Sequence, residues 1–262
     1  MGGGGFSAGD EDPGLDQLVL DLTGAREPRI ALLPTAGGDS ERQIQRFYAS
    51  FGDRMCEPSH VSLFRRGQDS KPLEERLLGQ DAIYVGGGSM VNLLAIWRAQ
   101  GLPELLREAW RAGIVLAGIS AGAMCWFDHG VTTSLGRPTG VRGLGFLPGT
   151  FSVHHDSEPS RRPVLLNAVG TGALPEGWAA DDGVGLLFRY RRLDAVVSPR
   201  PDARAWRVCR DAEGAHEEEI EPRRLAAVRK EHAAPPAAIS ELRHVHAARA
   251  ARGRHGLRRV RD

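Results

Sequence analysis

Cysteine is scarce: Cys56, Cys125 and Cys209 are the only three in 262 residues. Three make no even disulfide framework, and their spacing along the chain is not that of a metal site. That predicts a reducing compartment and no bound metal. Net charge is nearly absent as well, at +1, so the chain as a whole has no electrostatic call on nucleic acid or on a membrane surface. No apolar run approaches the ~20 residues that span a bilayer. The opening Met1-Gly2-Gly3-Gly4-Gly5-Phe6-Ser7 lacks the basic start and long apolar stretch of a signal peptide. Phe6 also stands where a myristoylation pattern needs Ser or Thr. A cytoplasmic protein is expected, with one domain over 1–228. Residues 229–262, rich in Arg, Ala and His, read as a poorly ordered basic tail. The tail histidines, His244, His246 and His255, have no cysteine or carboxylate at ligand spacing.

What the chain does have is Ile114-Val115-Leu116-Ala117-Gly118-Ile119-Ser120-Ala121-Gly122. An apolar strand runs into G-x-S-x-G, and Ala123 to Phe127 can start a helix. Strand, sharp turn and helix are the parts of a nucleophile elbow, with a Cβ at either glycine crowding the turn. The alternative is an ordinary strand-to-helix turn with Ser120 as its N-cap. Cys125, on the following helix, reads as core.

Around this turn, short apolar strands alternate with helical spacing. Strands are expected at 29–33, 60–64, 81–85 and 114–117. Helices are expected at 16–22, 41–51, 73–78, 91–98, 103–111 and 161–169. The pattern predicts a three-layer α/β fold, a mostly parallel sheet flanked by helices. Loops and short strands are expected from 132 to 155. Runs at 183–188, 193–197, 205–209 and 216–220 predict antiparallel hairpins near the C-terminal end. Ligands of such sheets bind at the carboxyl ends of the strands.

A serine nucleophile needs a base, a group to orient it and donors for the oxyanion. Histidine is the default base. Val153-His154-His155-Asp156-Ser157-Glu158 offers two, in a polar cluster that is otherwise an ordinary surface loop. Gly86-Gly87-Gly88-Ser89 follows the third strand. It matches neither nucleotide-binding glycine motif. It can be a tight turn, or Gly88 and Ala121 can present the two N–H groups of an oxyanion hole.

These stretches together resemble peptidase E, a serine dipeptidase family akin to cyanophycinase and to the class I glutamine amidotransferase fold. The likeness runs through Met1–Ser7, Leu33–Ala36 with Gly38–Ser40, Tyr84–Trp97 and Gly118–Phe127. It continues through Gly143–Leu147, His154–Pro163 and Asp181-Asp182-Gly183. It implies a Ser-His-acid hydrolase that removes an N-terminal aspartate from short peptides. No cofactor or metal is implied, the only partner is the peptide, and the protein is a monomer or homodimer. Ser120 matches the nucleophile and His154 the base, with His155 its neighbour. The acid of the better-known branch is replaced here by Thr133, within Thr132-Thr133-Ser134. Asp182 is therefore expected to be the third member, with Asp128 and Asp156 in reserve. Ser89 stands where the family has asparagine, which alters substrate contacts, and Val153 replaces a proline. Arg161 and Arg162 are candidates to bind the substrate carboxylate, or are surface arginines at a helix start. The lost aspartate and asparagine also admit a catalytically impaired protein that binds a small molecule on the same scaffold. An amidotransferase would need a cysteine at the elbow.

Overall fold

The computed structural model describes residues 1–7, 13–64 and 71–226. The tail at 229–262 lies outside the described residues. Four parallel strands, β1 (Arg29–Leu33), β2 (Glu57–His60), β3 (Ala82–Val85) and β4 (Val115–Gly118), form a sheet in the order β2-β1-β3-β4. Strands β1 and β3 are apolar on both faces because both faces are covered. Ile30, Leu32, Ala82 and Tyr84 pack with Val19 and Leu20 of α1 (Gly14–Asp21) and Phe47 and Phe51 of α2 (Glu41–Phe51). Ala31, Leu33, Ile83 and Val85 meet Leu77 of α3 (Leu73–Leu78). Leu93, Leu94 and Trp97 of α4 (Met90–Ala99), and Leu102 and Leu106 of α5 (Leu102–Arg111), complete that layer. Burying each such side chain is worth about 1.5–3 kcal/mol. Helix, sheet and helix make the three layers expected.

The second expected strand is displaced. It is Glu57–His60, not 60–64, because the Asp39 carboxylate accepts from the Leu63 and Phe64 N–H groups at 2.8 and 3.0 Å. That turns the apolar end of the run out of the ladder. The helix behind the elbow, α6 (Ala121–Met124), is also shorter than the pattern suggests. Phe127 opens a strand instead of ending a helix. The Cys125, Trp126 and Phe127 carbonyls all accept N–H groups from the 144–147 stretch, which draws the chain into a sheet.

The region expected as loops and short strands, 132–155, holds β6 (Thr139–Arg142) and β7 (Leu147–Val153), and β5 (Phe127–Thr132) leads into it. They join β8 (Gly177–Ala180), β11 (Ala205–Arg210) and β12 (Ala215–Ile220) in a six-stranded sheet, ordered β12-β11-β8-β7-β5-β6. Its centre, β5-β7-β8, is parallel and its margins antiparallel. Helix α7 (Arg161–Gly170) packs on it through Leu165 and Val169. The other hairpin, β9 (Gly185–Arg189) with β10 (Arg192–Ser198), forms a third sheet with β13 (Arg223–Arg224). Among the described residues no helix is long and apolar enough to cross a membrane.

Candidate active site

Three carboxyl strand ends supply the centre of the site. Ser120 follows β4, His154 follows β7 and Asp182 lies two residues past β8. Strands β7 and β8 are paired in parallel with Val153 opposite Ala180. His154 and Asp182 therefore leave neighbouring strands on the same edge. His154 Nε2 is 2.9 Å from Ser120 Oγ, and its Nδ1 is 2.5 Å from Asp182 Oδ1. Serine, imidazole and carboxylate stand in one hydrogen-bonded line, and among the described residues each ring nitrogen has one partner.

The elbow is bent as its glycines imply. Ser120 has φ +54° and ψ −116°, a conformation that costs a non-glycine residue of order 1–3 kcal/mol. A Cβ on Gly118 would lie 2.0 Å from the Gly122 carbonyl oxygen, and one on Gly122 2.4 Å from that of Val85. Ser120 makes no side-chain cap bond to α6, so the N-cap alternative does not apply. Instead its Oγ points to His154. His154 itself has φ +61°. The turn after it is pinned by His155 N–H to the Ala180 carbonyl and Glu158 N–H to the His154 carbonyl. Val153, in place of the family's proline, closes β7 as a fully buried residue.

Asp182 is held on every side. Its second oxygen accepts from Ser157 Oγ at 2.7 Å, and its N–H donates to Asp156 Oδ1 at 2.9 Å. Arg200 bridges the Asp156 carboxylate and the Asp182 carbonyl. Burial alone would raise the Asp182 carboxyl. The hydrogen bonds from His154 and Ser157, with the His154 and Arg200 charges, outweigh burial and hold it below the usual carboxylate value. The two reserve acids have other duties. Asp156 fixes the backbone of residue 182, and Asp128 accepts the Gly149 N–H at 2.9 Å.

The opening glycines form a loop by the site. The Met1 and Gly2 carbonyls both accept the Ser120 N–H at 3.1 Å, and the Gly3 carbonyl accepts that of Gly183. The segment thus threads between the elbow and the acid, where side chains do not fit. A Cβ on Gly3 would lie 2.5 Å from Asp182 Oδ1. Gly3→Ala is expected to displace that carboxylate and lower kcat by roughly a hundredfold, the cost of about 1 Å of misplacement. Steady-state kinetics beside a melting curve will check this. A loss of activity that only tracks a loss of folded protein would refute it.

The glycine triplet closes over the serine. A Cβ on Gly87 would stand 3.3 Å from the Ser120 Cβ. The Gly87, Gly88 and Ala121 N–H groups donate to no group among the described residues. Gly88 has φ +141° with the Ala36 carbonyl against it, which leaves no space for a side chain. Three free donors beside a serine hydroxyl can stabilise a developing oxyanion.

The proposed substrate contacts have other partners. Ser89 caps α4, accepting the Asn92 N–H at 3.2 Å. Arg161 is 3% exposed. It forms two bonds to Glu158 at 2.9 and 3.0 Å, one to the Val131 carbonyl and one to Thr133 Oγ1. Thr133, at the place of the family's aspartate, is thus a spacer in an Arg161–Glu158 cluster. Arg162 goes to Glu217. Sequence reasoning missed Ser157 and Asp156 as supports of Asp182, and it missed Glu217. The Glu217 carboxylate lies 2.9 Å from His155 Nε2, without a hydrogen-bonding angle. Burial pushes the His155 imidazole down against the pull of Glu217.

Known proteins resemble this chain in family and fold. The model of peptidase family S51 matches residues 1–196. An uncharacterized peptidase of Bacillus subtilis, YgaJ, is 49% identical over 208 residues, covering 79% of this chain and 90% of its own. Peptidase E of Streptomyces coelicolor is 31% identical over 135 residues, covering 50% of this chain and 53% of its own. The crystal structure of a peptidase from an acI-B1 Actinobacterium shares the fold at TM-score 0.62 and 23% identity, covering 87% of this chain and 95% of that one. With the family matched over three-quarters of its length, the chain belongs to peptidase family S51.

Proposed function

We propose that this peptidase is a serine exopeptidase that cleaves short peptides, dipeptides first, after an N-terminal aspartate. The observation that carries the serine mechanism is the Ser120–His154–Asp182 line at a strained elbow. The aspartate preference is what the resemblance to peptidase E implies. His154 takes the Ser120 proton as Oγ attacks the scissile carbonyl carbon. The N–H groups of Gly88 and Ala121, with Gly87 beside them, hold the oxyanion. As the tetrahedral species collapses, His154 passes its proton to the leaving amine and an acyl-enzyme remains. Water, deprotonated by His154, then releases the acid. Asp182 stays ionised throughout and holds the ring.

A panel of Asp-X, Glu-X and β-aspartyl dipeptides tests the reading, with Ala-X as control. Asp-X is expected to be cleaved at least a hundredfold faster in kcat/KM than Ala-X. Equal rates would remove the aspartate preference. A fluorophosphonate probe tests the serine separately: labelling at Ser120 is expected, and its absence would favour the impaired, ligand-binding alternative.

A further inference from the structure

The hairpin β11–β12 carries a cluster that the peptidase reaction does not use. Cys209 and His216 are directly opposite each other across the two strands. Cross-strand pairs share one face at about 5 Å between Cβ atoms. Glu218, two residues after His216, falls on that same face. One donor atom from each of Cys209, His216 and Glu218 lies within 4.8 Å of the other two. His216 Nε2 is already 3.6 Å from Glu218 Oε1. Ligand atoms around a tetrahedral zinc are about 3.5 Å apart, so small side-chain rotations bring all three into range.

A second observation concerns the other ring nitrogen. His216 Nδ1 is 3.0 Å from Asp211 Oδ2. The Asp211 carboxylate is set in the turn by the Glu213 and Gly214 N–H groups at 2.8 and 3.1 Å. A carboxylate on one imidazole nitrogen fixes the tautomer and aims the other nitrogen at a metal. The basic side chain opposite Glu218 does not compete for it. Arg207 sends its guanidinium to Glu176 at 3.2 Å, over the Trp178 ring.

We propose that Cys209, His216 and Glu218 bind one zinc ion, with Asp211 orienting His216. Thiolate, imidazole and carboxylate suit zinc better than magnesium or calcium, which take oxygen ligands. On binding, the Cys209 sulfur loses its proton to solvent and forms the S–Zn bond. A water completes the tetrahedron. The ion cross-links the two strands on the face opposite Glu217, which meets Arg162 and His155. It braces the hairpin behind the loop that presents His154 and takes no part in hydrolysis.

The test uses the full chain, freed of metal with a chelator and titrated with cobalt, then zinc. A sulfur-to-cobalt charge-transfer band is expected to saturate at one cobalt per chain and to vanish as zinc displaces it. Cys209→Ser is expected to abolish the band, while Cys56→Ser keeps it. His216→Gln and Glu218→Gln should each weaken zinc binding at least tenfold. Asp211→Asn should weaken it by about 10–100-fold, the usual cost of losing a ligand's orienting partner. Zinc should raise the melting temperature of the wild type and not of Cys209→Ser. Peptidase activity should be the same in all these variants without metal. Absence of the sulfur band, or its survival in Cys209→Ser, would overturn the site. Zinc held without a sulfur band would place the metal elsewhere, for example on His244 and His246, and would also overturn it.

Discussion

Ser120→Ala is expected to abolish hydrolysis of an Asp-X dipeptide while leaving the fold intact. The loss should be on the order of 10⁶-fold in kcat, the size of effect reported when a triad serine is removed. The structure separates the two roles of the residue. Its backbone does the building: the N–H goes to the Met1 and Gly2 carbonyls, and its carbonyl accepts from Ala123 and Met124. Among the described residues its hydroxyl has one partner, His154 Nε2. Alanine keeps the backbone and the strained φ, and deletes one hydrogen bond worth about 1 kcal/mol. A melting temperature within a few degrees of wild type is therefore expected beside a dead enzyme. Single-turnover assays with a high enzyme concentration will measure the residual rate. A variant that cleaved at the native rate would move the nucleophile away from Ser120.

Asp182→Asn is expected to lower kcat by roughly 10⁴-fold, as the equivalent change does in the chymotrypsin triad. The amide has nearly the same shape, so the Ser157 contact and the backbone at 182 survive. What changes is the proton on the ring. The carboxylate accepts from Nδ1–H and leaves Nε2 free to take the serine proton, whereas an amide can donate to Nδ1 and hold the wrong tautomer. Asp156→Asn is the contrast. It touches the 182 backbone and Arg200 but not the ring, so its loss should be tenfold or less. Equal losses at both positions would take the triad role from Asp182. The depressed Asp182 pKa carries a sign. Its contribution to stability is present above the ordinary carboxylate pKa and is lost as pH falls through the lower folded value. At neutral pH the acid is ionised, so activity near pH 7 should not depend on its titration.

Much of this site was legible before the fold. The elbow and the glycine triplet each stand in a short local pattern that survives in one dimension, and the resemblance to peptidase E singled out His154 and Asp182. The readings that changed involve partners far apart in the chain. Helix spacing predicted α7 almost to the residue, yet not that Arg161 at its start would sink onto Glu158 and Val131. The run 60–64 looked like a strand until Asp39 took the Leu63 and Phe64 N–H groups. Residues 132–155 read as loops and short strands because turns interrupt the apolar pattern, and pairing with neighbours in the sheet carries β7 to seven residues.

Cysteine spacing shows the same limit. Cys209 and His216 are seven residues apart, a separation with no metal signature, and a two-stranded hairpin sets them opposite each other. By itself, then, the sequence determined the layers, the serine turn, the imidazole and the short list of acids. Periodicity and turn chemistry act over a few residues and suffice for the layers and the serine turn, whereas His154 and the acids were named by the resemblance to peptidase E. The tertiary structure decided which acid stands behind His154, because the β7–β8 register puts 154 and 182 on one edge. It also decided that the opening glycines belong to the site. That contact joins Gly3 to residues 182 and 183, and only burial of both against the same elbow brings them together.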